Sequence, residues 1–362
     1  MSLLLSLMLL AGPSAAQETQ LLAVRAARLH LGDGRVVENG VLLVESGRIR
    51  AVGAGVDVPS GAAVIDHQAD VTAGLIACHT YAGISAEASD TTRSVMADAH
   101  VADAFDPSKS DYAKALRAGI TAVVLAPRAD NLVGGFTAVV KTAGGRVLAR
   151  EAHLALSLSA EAEVYNRFPT SASGALAELE RRFSDPEGAF APAAAGRLPV
   201  LIHAISRHEI QRALDFATRF KLKGALDSAP LAGELADAVK ASGLSVIVGP
   251  LREGSDRRVL QSAAALARAG VPIAFGLDAP AYDPDSLRLF AALCVREGLE
   301  PQIALKALTA DGAAIAGVSD RVGKLERGLD ADFVLWSGHP LDLTSSPVAV
   351  FVDGEEVHGG ER

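Results

Sequence analysis

The sequence has few of the features that mark several common protein classes. Two cysteines in 362 residues, Cys78 and Cys294, are too few for a disulfide-rich scaffold, and both lie in apolar stretches where a free thiol packs as a small hydrophobe. The formal net charge of -9 lacks the basic footprint that nucleic-acid binding requires. Beyond the N-terminal segment, no run is long and apolar enough to cross a bilayer. These absences favour an acidic protein with small-molecule or protein partners, no nucleic acid and no membrane span.

Two well-known site motifs are also missing. Gly134 and Gly135 form a glycine pair, but no lysine follows them at the spacing of a phosphate-binding loop. The strained Gly-x-Ser-x-Gly turn of many serine hydrolases does not occur either. The sequence therefore gives no support for a nucleotide site or a Ser-His-Asp triad. Its 49% hydrophobic residues predict a sizeable packed core.

The first residues, MSLLLSLMLLAGPSAAQETQ, have the composition of a secretory signal peptide. Residues 3–10 are a short apolar run, and Ser14, Ala15 and Ala16 supply the small residues of a cleavage site. We predict that residues 1–16 are removed and that the mature protein is secreted, reaching the periplasm where the cell has an outer membrane. Because the charged start of a signal peptide is reduced to the terminal amine, a buried N-terminal strand stays an alternative.

Hydrophobic periodicity divides the rest of the chain into two patterns. Residues 17–70 and 321–362 are typical of short strands separated by turns, so both ends are expected to build one small β domain, a β-sandwich. Residues 71–320 alternate strands with amphipathic helices. This alternation predicts a parallel sheet with helical crossovers, and about 250 residues is the usual size of a TIM-type (β/α)8 barrel. The predicted fold class is α/β.

In a β/α barrel the active site forms where the strands end, so polar residues at these points are candidates. Two histidines and one carboxylate, His79, His203 and Asp278, would suit one Zn²⁺ or Fe²⁺ ion. Taken singly, a strand-end histidine is more often a hydrogen-bonded structural group, so a protein without any metal stays an alternative. The strand-end polar residues are His79, Tyr81, His203, Asp227, Ser228 and Asp278.

Several stretches resemble the amidohydrolase superfamily. VTAGLIACHT (71–80) resembles its Pro-Gly-Leu-Ile-Asp-x-His-x-His strand, and RVGKLERGLDADFVLW (321–336) resembles its C-terminal signature. LPVLIHAISRHEI (198–210) and GVPIAFGLDAP (270–280) are similar to its fifth and eighth strands. DPSKSDYAKALRAGITAVVLAP is similar to the secreted, imidazolonepropionase-like branch. The resemblance implies a β/α barrel with a small β domain, and a hydrolase of non-peptide or dipeptide-like C–N bonds.

The resemblance carries over only part of the family's metal site. His79, His203 and Asp278 match the ligands on its first, fifth and eighth strands. Tyr81 stands where the second histidine of the first-strand pair is expected, and Ser228 is the nearest match to the sixth-strand histidine. The implied site is therefore degraded and holds at most one metal.

Two further assignments are left open by the sequence. A bridging ligand from the fourth strand is not assignable, because Glu161 aligns poorly and Lys141, the only lysine nearby, belongs to an earlier segment. Tyr81 would be a poor ligand, since a phenol has a pKa near ~10 and must ionise to bind well; a tyrosine that fills the space of an absent metal is an equal alternative.

Four other histidines, in loops or at helix starts, are expected to be solvated: His100, His153, His208 and His339.

Two kinds of function follow. In a hydrolase, one metal on His79, His203 and Asp278 would lower the pKa of its water towards ~7. Asp278 would carry the proton to the leaving nitrogen, the metal or Ser228 would polarise the carbonyl, and Tyr81 would contact the substrate. Alternatively, the protein is a catalytically inactive paralogue, a homo-oligomer or a binding or structural subunit of a hetero-oligomer with an intact amidohydrolase. The missing ligands favour the paralogue, and the family resemblance favours the enzyme.

Overall fold

The computed structural model describes residues 21–84, 89–252 and 254–359, so the predicted signal peptide, residues 1–16, lies outside the described residues. The strands are β1 (Leu21–His30), β2 (Val36–Glu45), β3 (Arg48–Gly53), β4 (Ala63–Ala73), β5 (Leu75–Thr80), β6 (Ile120–Leu125), β7 (Val133–Phe136), β8 (Ala138–Lys141), β9 (Val147–Ala149), β10 (Leu154–Ser157), β11 (Val200–His203), β12 (Gly224–Asp227), β13 (Ser245–Val248), β14 (Ile273–Phe275), β15 (Phe333–Trp336), β16 (Pro347–Val352) and β17 (Glu355–Gly359). The helices are α1 (Ser110–Arg117), α2 (Ala172–Ser184), α3 (Phe190–Ala194), α4 (Arg207–Phe220), α5 (Ala236–Ser242), α6 (Arg257–Ala269), α7 (Ser286–Arg296), α8 (Pro301–Leu308) and α9 (Ala310–Ile315). Among the described residues, no helix combines the length and the apolar character that spanning a membrane would need.

The two ends of the described chain meet in one seven-stranded sheet with the order β17-β16-β15-β4-β1-β2-β3. The sheet packs around its own apolar cluster, in which the rings of Phe333 and Phe351 stack with their centroids 4.4 Å apart. β4 pairs with β1 on one side and with β15 on the other. Because β4 joins the N-terminal and C-terminal strands by backbone hydrogen bonds, they form one continuous sheet. The two layers of the predicted β-sandwich stay a prediction.

The central part of the chain forms two sheets that are joined next to the predicted site. Their orders are β14-β13-β12-β11-β10-β7 and β5-β6-β8-β9. Strands β10 to β14 run parallel, with helices between successive strands. Just after β14, the amide of Leu277 donates to the carbonyl of His79 on β5, and the amide of Tyr81 donates to the carbonyl of Ala279, both over 2.9 Å. The result is a TIM-barrel-like arrangement of mixed α/β sheets.

Strands β7, β8 and β9 depart from the parallel order predicted for residues 71–320. β8 runs antiparallel to both β6 and β9, and β7 runs antiparallel to β10. A parallel neighbour needs a crossover of a dozen or more residues. Residues 142–146, between the paired strands β8 and β9, are too few for one, and no helix lies between β6 and β10, a stretch that the structure describes throughout, to form a crossover. The prediction of a wholly parallel sheet is therefore wrong in this segment.

The register of the parallel strands decides which side chains become neighbours at the strand ends. Ser157 of β10 pairs with His203 of β11, and His203 pairs with Asp227 of β12. Each of the three is the last residue of its strand. Since the carboxyl ends of parallel strands form the active-site face of a β/α fold, this register sets a histidine and a carboxylate side by side on that face.

Candidate active site

His79 is the centre of the candidate site. It lies on β5, a strand whose residues are all buried, and 4% of its side chain is exposed. Its Nδ1 lies 3.0 Å from Oδ2 of Asp227, and its Nε2 lies 3.3 Å from Oδ1 of Asp278. Both nitrogens of the ring therefore face carboxylates, one from the end of β12 and one from the segment after β14.

Asp227 links the two predicted histidine ligands. The Nδ1–H of His203 donates to the same Oδ2 atom over 3.1 Å. The sequence places Asp227 at a strand end, without a role among the metal ligands. The strand register reveals its role, because His203 and Asp227 are direct partners on neighbouring strands. One buried carboxylate thus orients two imidazoles, as a carboxylate behind a metal-binding histidine does.

The charges of this cluster shift the pKa values of its members. Burial by itself lowers the pKa of His79, but Asp227 and then Asp278 outweigh burial and raise the pKa to about 9. Burial would raise the pKa of Asp227, yet its contacts with His79 and His203 hold that pKa well below its usual range. For Asp278 burial prevails, and the pKa of its carboxyl is raised. The cluster is therefore a place where positive charge is strongly favoured.

Asp278 and Ser228 share an unusual backbone conformation. Both follow a strand within a few residues, and their φ angles are +53° and +51°, in the left-handed region that residues other than glycine seldom adopt. Both also line one cavity. Left-handed backbone at residues that line a cavity is a pointer to function; that these two positions belong to the site stays a prediction.

Tyr81 packs against the ring of His79. The two ring centroids are 5.0 Å apart in an edge-to-face arrangement, and the guanidinium of Arg128 lies 5.5 Å from the centroid of the tyrosine ring. Burial, with the charges of Asp227 and Asp278, raises the pKa of Tyr81 far above its ordinary value. The phenol is therefore neutral, which suits a wall of the site and does not suit a metal ligand.

A cavity of about 730 Å³ opens beside this cluster. Glu161, which the sequence left unassigned, comes within 3.7 Å of Nε2 of His203 through its Oε2 atom. Glu161 lies in a short turn that follows β10. At the start of this turn the hydroxyl of Ser159 accepts a hydrogen bond from the amide of Glu161. The polar residues of the cavity wall are Tyr81, Arg128, Glu161, His203, Ser228 and Asp278.

The donor set fits the single divalent metal that the family resemblance implies. Four buried atoms of the cluster have no hydrogen-bond partner within the described part of the chain: Nδ1 of His79, Nε2 of His203, Oδ1 of Asp227 and Oδ1 of Asp278. With Nδ1 of each imidazole turned to Asp227, Nε2 is the nitrogen left for a metal. The 3.3 Å between Nε2 of His79 and Oδ1 of Asp278 is about the separation of two ligands on one tetrahedral zinc. His79, His203 and Asp278 are thus suitable ligands by chemistry. Ligand atoms of His79 and Asp278 are also close together, whereas ligand atoms of all three residues do not lie within 4.8 Å of one another, so the ring of His203 would have to move closer to share the ion.

Lys141 has no place at this site. Its side chain is fully buried, and its Nζ lies 2.8 Å from Asp330, 2.9 Å from Asp332 and 2.7 Å from Asp353. These contacts tie β8 to segments next to β15 and β16. Burial raises the pKa of Asp332 to about 6. Lys141 is therefore part of a structural ion cluster and supplies no bridging ligand to the cavity.

One of the four histidines predicted to be solvated is not. His153 is 1% exposed, and its Nε2–H donates to the carbonyl of Ile315 over 2.7 Å. The prediction is wrong for His153 because a distant segment of the chain covers it. His100 and His339 are half-buried, His208 is exposed, and Nδ1 of His339 accepts a hydrogen bond from the amide of Leu341.

The comparisons with known proteins agree with this geometry. The profile of the Amidohydrolase family matches residues 187–358. An imidazolonepropionase from Cupriavidus necator is 27% identical over 398 residues, covering 90% of this chain and 92% of that protein. These findings support a place for the chain in the amidohydrolase superfamily, with similarity to its imidazolonepropionase-like branch.

Other relatives in this superfamily match shorter stretches. Amidohydrolase tasK from Hapsidospora irregularis is 36% identical over 77 residues, which are 21% of this chain and 8% of that protein. An imidazolonepropionase from Aeromonas hydrophila is 36% identical over 110 residues, and the matched stretch is 27% of its length. The chain thus spans less than two thirds of these two relatives. The crystal structure of an amidohydrolase from Thermotoga maritima has a TM-score of 0.85 at 23% identity and covers 94% of this chain and 100% of that one. This likeness shows the fold.

Proposed function

We propose that this protein is a hydrolase of non-peptide or dipeptide-like C–N bonds that holds one divalent metal, Zn²⁺ or Fe²⁺, on His79, His203 and Asp278. The observation that carries the proposal is the position of Asp227. Its Oδ2 faces Nδ1 of both histidines, at 3.0 Å and 3.1 Å. Nε2 is therefore the second nitrogen of each ring; that of His79 lies 3.3 Å from Asp278 and that of His203 lies 3.7 Å from Glu161. This is the arrangement of a carboxylate that orients metal-binding histidines.

A metal on these residues would supply a water molecule of lowered pKa. The other parts of the reaction belong to the chain. Asp278 lines the cavity, and its carboxylate would take a proton from the attacking water and return it to the leaving nitrogen. Ser228 lines the same cavity, and its hydroxyl would donate to the scissile carbonyl.

The rest of the cavity wall would bind and orient the substrate. Tyr81 and Arg128 form one side, with the guanidinium over the tyrosine ring. Glu161 lies near His203 on another side and would accept hydrogen bonds from the substrate. A volume of about 730 Å³ suits a small molecule. Because several similar proteins are imidazolonepropionases, cyclic amides are the first substrates to test.

Three further expectations belong to this proposal. We take the two central sheets as one closed (β/α)8-type barrel of residues 71–320, supported by the hydrogen bonds between His79 and Leu277 and between Tyr81 and Ala279. Residues 17–70 and 321–362 would form the second domain. Export of the mature protein, with residues 1–16 removed, stays a prediction from the sequence.

The experiment is hydrolysis with and without metal. Protein stripped by a chelator and then given one equivalent of Zn²⁺ or Fe²⁺ should hydrolyse at least one member of a panel of cyclic amides, N-acyl amino acids and dipeptides. We expect the stripped protein to be inactive. His203→Asn should stay inactive after metal is returned, whereas His208→Asn, an exposed histidine on α4, should behave as the unaltered protein.

No hydrolysis by the metal-loaded protein, together with less than about a tenth of an equivalent of bound metal, would contradict the proposal. The catalytically inactive paralogue would then be the better explanation. Its own test is co-purification with an intact amidohydrolase encoded nearby, where a stable complex supports it and a lone monomer contradicts it.

A further inference from the structure

A second cluster of metal-ligating side chains lies on the seven-stranded sheet, away from the cavity. His30 is the last residue of β1, Asp70 lies on β4, and His339 lies in the segment that follows β15. These three strands are neighbours in the order β15-β4-β1. One ligand atom from each residue lies within 4.8 Å of the other two. The sheet thus brings together two imidazoles and a carboxylate from three separate parts of the chain.

The inner two residues of this cluster are buried and incompletely paired. His30 is 8% exposed and Asp70 is 0% exposed. Nε2 of His30 lies 3.4 Å from Oδ2 of Asp70, yet neither atom has a hydrogen-bond partner. Buried polar atoms of this kind are rarely left without a partner. The observation therefore calls for a group that both atoms can bind at once.

Two neighbours of the cluster limit what it can bind. The Nε–H of Arg28 donates to Oδ1 of Asp70, which fixes the carboxylate and leaves Oδ2 free, but brings a positive charge. The amide of Leu341 donates to Nδ1 of His339. A metal on Nδ1 of His339 would displace this hydrogen bond directly. A metal on Nε2 would also end it, because Nε2 is free for a metal only when Nδ1 is protonated and no longer accepts. His30 and Asp70 are therefore the principal ligands and His339 is the outer one.

We propose that His30, Asp70 and His339 form a second metal site that binds Zn²⁺ or a similar transition-metal ion and ties β1, β4 and β15 together. Two imidazoles and one carboxylate suit such ions, whereas Mg²⁺ and Ca²⁺ prefer sites made of oxygen atoms. The ion would join a strand from the start of the chain to the segment after β15 near its end. The site is separate from the cavity and does not rest on the proposed hydrolysis.

The test uses Co²⁺ as the probe and the full chain with His203→Asn, which removes a ligand of the cavity site. Visible absorption and elemental analysis would measure binding, and thermal unfolding would measure stability. We expect one equivalent of Co²⁺ to bind and to raise the unfolding temperature. Adding His339→Gln should weaken binding at least about tenfold. Adding His67→Gln, a change to a histidine on β4 outside the cluster whose Nε2 bonds to the carbonyl of Trp336, should leave binding unchanged.

Arg28→Gln separates a metal site from a purely structural cluster. Without the guanidinium charge, a cation on Asp70 meets less repulsion, so Co²⁺ should bind more tightly. A structural cluster would instead lose stability with no change in metal affinity. No Co²⁺ binding by the folded His203→Asn protein, or equal binding with and without His339→Gln, would overturn the proposal. Asp70 is fully buried and His339 is half-buried. Substitution of His339 therefore disturbs folding less than Asp70→Asn would, and it is the decisive test if Asp70→Asn does not fold.

Discussion

Asp278→Asn is expected to lower kcat/KM by about 100- to 10,000-fold, the usual contribution of a general acid–base group, and to leave the fold intact. Asparagine has the same shape but does not accept the proton of the attacking water. It also tolerates the left-handed backbone at this position, where φ is +53°, better than most residues. Because Asp278 is also a proposed metal ligand, the assay contains saturating metal, and the remaining loss then comes from the proton transfer. Steady-state kinetics with a substrate identified from the panel, together with circular dichroism, would measure both effects.

Asp283→Asn is the matched control for this prediction. Asp283 lies five residues further along the chain and is exposed, and it does not line the cavity. Its substitution should change kcat/KM by less than about twofold, since surface changes rarely have larger effects on a folded protein. Activity retained by Asp278→Asn would refute the role of Asp278 as proton carrier.

Asp227→Leu is expected to weaken metal binding by about 10- to 100-fold, the usual effect of removing a carboxylate behind histidine ligands. Leucine has the branched shape of aspartate, with bulkier ends and no acceptor, so Nδ1 of His203 would lose its hydrogen bond and Nδ1 of His79 would lose its carboxylate neighbour. Both rings would then be free to turn or to carry their proton on Nε2. Asp227→Asn should give a smaller loss, because an amide oxygen still accepts a hydrogen bond although the charge is gone.

Competition between the protein and a chelator of known affinity would measure these changes. Asp215→Asn, an exposed aspartate on α4 that accepts a hydrogen bond from Gln211, is the control and should leave the affinity unchanged. Equal metal affinity in Asp227→Leu and the unaltered protein would mean that Asp227 does not orient the histidines.

The strand-end residues show how far the sequence leads. His79, His203 and Asp278 were found because apolar strands end close to them, and the structure brings His79 within 3.3 Å of Asp278 and links it to His203 through Asp227. The role of Asp227 depends on the register between β11 and β12. The sequence does not reveal this register, because both strands are apolar without an alternation of polar and apolar residues. The sequence therefore suggested a role for Ser228, the residue after Asp227, whereas in the structure it is Asp227 that contacts both histidines.

Contacts between distant segments of the chain could not be predicted from the sequence, because no local pattern encodes them. Glu161 reaches His203 by way of a short turn after β10, and turn geometry has no periodicity to read. The cluster of His30, Asp70 and His339 draws on three strands that are neighbours only in the folded sheet. No local spacing joins these residues, and half-buried His339 was accordingly expected to be solvated.

The central claim, that the cavity holds one metal, is tested most directly by anomalous diffraction at the zinc edge from crystals grown with Zn²⁺. We expect a peak about 2.0–2.2 Å from Nε2 of His79, Nε2 of His203 and a carboxylate oxygen of Asp278, the bond lengths of protein-bound zinc. An ordered site with no peak there, in which His79 still contacts both Asp227 and Asp278, would contradict the claim.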